Sequence, residues 1–188
     1  MGWHGGEEVH TETNTVVMDE RAVRRAVARM AREIVEANAG TVGLVLVGIH
    51  RRGVELSELL AEEIEKSEGQ EISRGTLDIT LYRDDLSVIG PRPVIGASDI
   101  PNIEDQAVVV VDDVCHTGRT VRAAMDHLGD YGRPARIYLC VLVDRGGREL
   151  PIQPDFVGRH FEVAQSEDVA VHVPQEDGRL SVELHKIR

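Results

Sequence analysis

At 188 residues the chain suits one domain with a sizeable core, and aromatics at 3% make that core aliphatic. A formal net charge of −12 argues against a protein that coats nucleic acid indiscriminately, while leaving room for a local basic patch. Two cysteines are too few for a metal cluster, no apolar run approaches membrane-spanning length and no signal peptide is visible, so a cytoplasmic setting is expected.

Residues 1–15 are polar, Gly-rich and aperiodic, which reads as a flexible tail ahead of a single domain over 16–188. Asp19 is placed to cap a helix running to about Ala37, with Ala22, Val23, Ala26, Val27, Met30, Ile34 and Val35 as its buried stripe. Gly40 stops it. Leu44 to Ile49 reads as a buried strand, residues 53–66 as a second amphipathic helix, and Thr76 to Leu81 alternates like a strand. Residues 83–105 hold Pro91, Pro93, Pro101 and several acids without periodicity; so long a loop in a compact domain is a functional lid or disordered.

The most informative stretch runs from Val108 to Thr120. Four consecutive valines suit a strand buried on both faces, as in a parallel sheet. Asp112 and Asp113 follow where that strand leaves the sheet, and Thr117-Gly118-Arg119-Thr120 opens a helix with Val121, Ala124, Met125 and Leu128 on one face. Open α/β sheets bind ligands at this edge, and a helix N-terminus offers free N–H groups to a phosphate. Gly118 admits close backbone approach, and the Thr117 and Thr120 hydroxyls add donors. The acidic pair cannot attract a phosphate, so it requires sugar hydroxyls or Mg²⁺. A ligand with a phosphate, a ribose diol and Mg²⁺ meets all three demands, as phosphoribosyl pyrophosphate does. A phosphorylated receiver domain would need further acids near the first strand and a late Lys, a set not found here. The Walker spacing is missing too. Beyond this segment, Ile137 to Val143 reads as another strand, Asp144 to Gly147 as a turn, and Val169 to Val173 with Leu180 to Leu184 as a hairpin around Asp177-Gly178. Strands alternating with helices give a mostly parallel α/β core, capped at its C-terminal edge by the Pro-rich segment after residue 144.

Several separated stretches, in this order, resemble the type I phosphoribosyltransferases and, more narrowly, the PyrR proteins. They are Asp19 to Arg25, Val47 to Gly53, Leu77 to Leu86, the signature itself, Tyr131 to Pro134, and Val143 to Pro151. The resemblance covers roughly residues 16–174. It implies a core over about 16–143, a small C-terminal hood over about 144–188 and a mobile loop over about 82–105. It also implies uracil phosphoribosyltransferase activity, in which uracil and phosphoribosyl pyrophosphate give UMP and pyrophosphate with Mg²⁺, joined to control of a pyrimidine operon through its leader mRNA in response to UMP or UTP.

The implied roles follow position by position. Asp112 and Asp113 hold the ribose hydroxyls, with Mg²⁺ nearby, and Asp113 takes part in catalysis. Thr117, Gly118, Arg119 and Thr120 hold the 5′-phosphate. His50, Arg51, Arg52 and Gly53 form the pyrophosphate loop, and Tyr82 and Arg83 begin the mobile loop, whose Arg83 closes over the leaving group. Main-chain groups from Val143 through Asp144 and Arg145 to Gly146 lie near the base. Arg21, Arg25, Arg29 and Arg32 stand at helical spacing, which alone suits a solvated face or intersubunit salt bridges; the resemblance makes them a candidate RNA surface. It implies a homodimer or homotetramer as well. Where relatives carry a bulky apolar residue and Tyr, this chain has Cys115 and His116, and Gly147 replaces a polar side chain found in some. His116 is a candidate for acid–base work near neutral pH or for filling space beside the phosphate loop. The alternatives are a nucleotide-sensing RNA-binding regulator with little catalysis, and a purine-base phosphoribosyltransferase.

Overall fold

A continuous apolar run can bury both faces only between two layers of helix, and strand β2 (Leu44–Ile49) is buried along its entire length. The structure, a computed structural model, describes residues 14–80, 98–164 and 166–186. Its central sheet holds five parallel strands in the order β3-β2-β4-β5-β6. The others are β3 (Ser73–Leu77), β4 (Ala107–Cys115), β5 (Arg136–Asp144) and β6 (Phe156–His160). Helices α1 (Glu20–Ala37) and α2 (Arg52–Glu68) cover one face, and α3 (Arg119–Leu128) covers the other.

Side-chain alternation divides the strands between two cores. Leu44 and Leu46, Val109 and Val111, and Cys140 and Leu142 join Val23, Val27, Met30, Leu56 and Leu60 beneath α1 and α2. The intervening Val45 and Val47, Val108 and Val110, and Leu139 and Val141 pack with Val121, Ala124 and Leu128 of α3. Each such side chain, fully buried, contributes about 1.5–3 kcal/mol, so the aliphatic composition suffices. Asp19 accepts the Ala22 amide at 2.7 Å as the N-cap of α1, a bond of about 1 kcal/mol.

A second, antiparallel sheet in the order β1-β8-β7 sits on the α1 side. It comprises β1 (Thr15–Met18), β7 (Glu167–His172) and β8 (Ser181–Lys186), with the short helix α4 (Pro174–Asp177) between the last two. The expected hairpin is there, closed by that helical turn.

Three expectations shift. Thr15 opens β1 rather than ending a tail, because a pairing partner 169 positions away is invisible to local periodicity; Thr15 lies opposite Leu184. The alternation at Thr76 to Leu81 placed a strand too late: β3 is Ser73–Leu77, with Gly75 in its middle, where Pro101 and Asp99 pass too closely for a side chain. Residues after 144 are not all hood, since β6 joins the central sheet beside β5. Tyr82, Arg83 and most of the expected mobile loop lie outside the described residues.

Two strand-to-helix turns meet behind the sheet edge. A Cβ on Gly53 would lie 2.4 Å from the Val111 carbonyl oxygen, and one on Gly48 2.5 Å from Val54 Cα. Both obstacles are backbone. Gly53→Ala is therefore expected to cost about 1–3 kcal/mol by overpacking and to push α2 away from β4, which a denaturant melt against wild type measures.

Candidate functional site

The sheet edge where β2, β3 and β4 end side by side encloses a cleft of about 210 Å³. His50, Arg51 and Arg52 line it from the turn after β2, Asp78 and Thr80 from the turn after β3, and Asp112, Asp113 and Thr120 from β4 and the start of α3. Of the residues assigned from sequence to ribose, phosphate and pyrophosphate, His50, Arg51, Arg52, Asp112, Asp113 and Thr120 thus share one cavity, while Gly53, Thr117, Gly118 and Arg119 do not line it. The β4 strand continues through the acidic pair to Cys115, paired only with β5 beyond Val111. Asp112 is buried and accepts the Asp113 amide at 2.9 Å, while Asp113 accepts the Val114 amide at 2.8 Å. These bonds aim both carboxylates at the cleft.

The phosphate turn is braced from below. Gly118 precedes α3 in the left-handed region, at φ 91°, a conformation other residues resist, and sits against Leu150 and Ile152. The Thr117 carbonyl accepts the Glu149 and Leu150 amides at 3.0 and 3.2 Å. Arg119 pairs with Glu149 at 2.8 Å, but both are half exposed and that pair adds about 0–1 kcal/mol.

Arg148 supplies the deeper brace. Its guanidinium bonds the Asp144 carboxylate at 2.8 Å and the carbonyls of His116 and Ile152 at 2.9 Å each, with 12% of the side chain exposed. One cation thus ties the phosphate turn to the loop expected to face the base. No sequence signal assigns Arg148 this role, because nothing local marks an arginine as buried. The same holds for Asp78, which accepts both the amide and hydroxyl of Thr80, at 2.8 and 2.5 Å.

In the expected base loop, Val143 and Asp144 are buried at the end of β5. The Arg145 side chain turns away to pair with Asp168 and the Glu167 carbonyl, while its amide is spent on the Cys115 carbonyl at 3.1 Å. The Gly146 amide bonds Asp144 at 3.0 Å. Across from this loop, the His116 ring lies where a Cβ on Gly147 would fall, 2.7 Å from Nε2. The two departures from the family pattern therefore fit each other. Partial desolvation, then the Arg145 charge, lowers the His116 pKa, keeping the imidazole neutral near pH 7. Burial pushes the Cys115 thiol up to about 11, an inert core hydrophobe.

The turn from His50 to Gly53, expected from sequence to face pyrophosphate, has a cis His50–Arg51 peptide and is held from α4. Arg52 makes a two-pronged pair with Asp177 at 3.0 and 3.1 Å, and Arg51 reaches Glu176 at 3.5 Å. Glu55, buried in α2, accepts the Gln175 and Glu176 amides at 2.8 and 3.0 Å. No sequence signal linked α4 to residues some 125 positions earlier.

Sequence comparison identifies the chain. A phosphoribosyl transferase domain model matches residues 15–174. The "Bifunctional protein PyrR" of Thermus thermophilus is 56% identical over 169 residues, covering 89% of this chain and 93% of that one. The protein of the same name from Deinococcus radiodurans is 48% identical over 93% of this chain and 96% of its own. The chain belongs to the PyrR family of phosphoribosyltransferases. The PyrR family joins uracil phosphoribosyltransferase activity to regulation of the pyrimidine operon, and this chain is such an enzyme and regulator. Among solved structures, a hypoxanthine phosphoribosyltransferase of Trypanosoma cruzi superposes with a TM-score of 0.71 at 18% identity, covering 94% of this chain and 96% of that one. A hypoxanthine-guanine enzyme of Bacillus anthracis gives 0.68 at 16%, over 90% and 96%. At that identity they share the fold alone. No helix among the described residues is long and apolar enough to cross a membrane.

The Arg52 bond, before other causes, holds the Asp177 carboxyl down to about 2 from an ordinary 3.8. A depressed carboxylate contributes stability that is complete above about pH 4 and lost as pH falls through about 2. Asp177→Asn is expected to melt earlier than wild type at pH 7, by on the order of 1 kcal/mol after solvent screening. The gap should close between pH 4 and pH 2, which urea melts across that range check.

Proposed function

We propose that the cleft binds phosphoribosyl pyrophosphate in one orientation and passes its ribosyl group to uracil, the convergence of Asp112, Asp113, Thr120 and the His50–Arg52 turn on one cavity being the observation that carries this reading. The ribose diol donates to Asp112 and Asp113. The 5′-phosphate takes the amides and hydroxyls of Thr117 to Thr120 at the head of α3. Pyrophosphate lies along His50 to Gly53, and the family resemblance adds Tyr82 and Arg83, which fall outside the described residues, to its binding set. Uracil sits against Val143, Asp144, Arg145 and Gly146, close to His116.

In the reaction a ring nitrogen of uracil gives up its proton to water and forms a bond to ribose C1 as the bond from C1 to the pyrophosphate oxygen breaks. Arg51, Arg52 and Arg83 offset charge growing on the leaving group, and Asp113 sits beside the ribosyl cation. Three carboxylates facing one cleft, those of Asp78, Asp112 and Asp113, make a hard oxygen set that fits Mg²⁺ entering with the substrate. When bound, Mg²⁺ neutralises the departing polyanion. Two buried thiols fit a cytoplasmic setting, and a homodimer or homotetramer is the expected assembly.

For control of the operon, we place leader mRNA on α1, with UMP or UTP read at the same cleft. Of the arginine stripe, Arg21 and Arg25 are exposed, without an ion pair among the described residues, and edge a shallow concavity of about 480 Å³ with Arg24 and Ala28. Arg29 is engaged differently: it donates to the Val157 and Gly158 carbonyls at 2.9 and 2.7 Å, clipping α1 to β6, and pairs with Glu33. Arg32 bonds the Ala28 carbonyl at 3.0 Å and remains exposed.

Pyrophosphate release from phosphoribosyl pyrophosphate and Mg²⁺, with and without uracil, tests the catalytic reading. Uracil-dependent release should fall at least a hundredfold in an Asp112→Asn, Asp113→Asn variant, on the scale of losing preorganised groups at developing charge. Release faster with guanine or hypoxanthine than with uracil would move the assignment to a purine base. For the regulatory surface, Arg21→Ala with Arg25→Ala should weaken leader RNA binding and lower its salt slope by about 1 per lost phosphate contact. Arg29→Ala should instead lower the melting temperature.

A further inference from the structure

The hood carries a cluster that phosphoribosyl transfer does not use. His172 and Ser181 lie opposite each other in the β7–β8 ladder, so His172, Glu183 and His185 share one face of the small sheet. Their ligand atoms all lie within 4.8 Å of one another. Two imidazole nitrogens face one oxygen of Glu183, His172 Nε2 at 3.6 Å and His185 Nε2 at 3.9 Å, both beyond hydrogen-bond length. Ligands about 2 Å from a tetrahedral Zn²⁺ stand roughly 3.3 Å apart, so closing the set needs a contraction of a few tenths of an ångström around Glu183 and of at most about 1.5 Å between the two imidazoles. His185 Nε2 is buried and has no hydrogen-bond partner, a costly state that an ion would relieve. Glu183 is buried as well, 5% exposed.

Tautomer and charge agree with this. His172 turns Nδ1 toward Asp177 at 3.6 Å, and a guanidinium, which can only donate, lies within hydrogen-bond reach of Nε2, so Nε2 carries the lone pair that a cation would take. A carboxylate behind a ligating histidine is the usual outer support of such sites. A cation already visits: Arg179 Nη2 lies 3.0 Å from His172 Nε2 and 3.1 Å from Glu183 Oε1. Its side chain is 55% exposed and free to swing out. Nitrogen donors beside one carboxylate select a zinc-class ion over Mg²⁺.

We propose that His172, Glu183 and His185 bind one divalent transition-metal ion of the zinc class, clasping β7 to β8 and supported through Asp177, which also holds Arg52 of the pyrophosphate turn. The test is equilibrium dialysis of the full chain against Zn²⁺ without added Mg²⁺, with bound metal counted by mass spectrometry. A His4→Ala, His10→Ala background removes the histidines that precede residue 14. About one equivalent should bind, and Co²⁺ in its place should give a visible d–d band. His185→Ala should weaken binding at least tenfold, Asp177→Asn by about 10–100-fold. Arg179→Gln, which removes only the competing exposed cation, should tighten it several-fold and keeps the test decisive if a histidine variant fails to fold. No stoichiometric Zn²⁺ on wild type, equal retention by His185→Ala, or weaker binding by Arg179→Gln would each overturn the proposal.

Discussion

The spacing of the two turns that line the cleft rests on one backbone contact, Gly53 against the carbonyl of Val111. Parallel strands lie a fixed distance apart, so β2 and β4 set their turns side by side, but how far each helix stands off the sheet depends on what separates the chains. Here nothing does: a Cβ at Gly53 would stand 2.4 Å from the Val111 oxygen. The start of α2 therefore lies against the residue before Asp112, and the arginines of one turn face the carboxylates of the other across a single cleft. Electrostatic stabilisation of a departing anion needs that proximity, because preorganised charge acts only at short range.

Two arginines keep this arrangement rigid. Arg148 is nearly buried and spends its donors on Asp144 and the carbonyls around it. Losing one partner of such a pair costs about 3–5 kcal/mol, since the remaining charge is stranded. Arg52 plays a double part, lining the cleft while gripping Asp177 of the hood. The hood is thus fastened to the pyrophosphate turn by charge and, through Glu55, to α2 by two backbone amides.

His116 and Gly147 show how paired departures from a family pattern arise. A ring at 116 needs the room that Gly147 leaves, and Gly147 at φ 72° adopts a conformation other residues resist. Among the described residues the ring makes no hydrogen bond to the phosphate loop, so its place is set by packing beside the base loop.

Sequence alone determined the parts of this protein that depend on neighbours in the chain. Asp19 as a cap, the apolar stripe of α1, the buried runs of β2, β4 and β5, and the Asp-Asp and Thr-Gly-Arg-Thr signature were all legible, because periodicity and local hydrogen bonding write them into short windows. With them came the family. Tertiary structure decided what depends on partners far along the chain: β1 lying beside β8, β6 joining the central sheet, Arg29 serving as a clip to β6, and Arg148 and Asp177 as anchors. An arginine on a helix face reads the same whether it meets water, RNA or a carbonyl of a distant strand. Its surroundings are supplied by the fold, through contacts that no local pattern encodes.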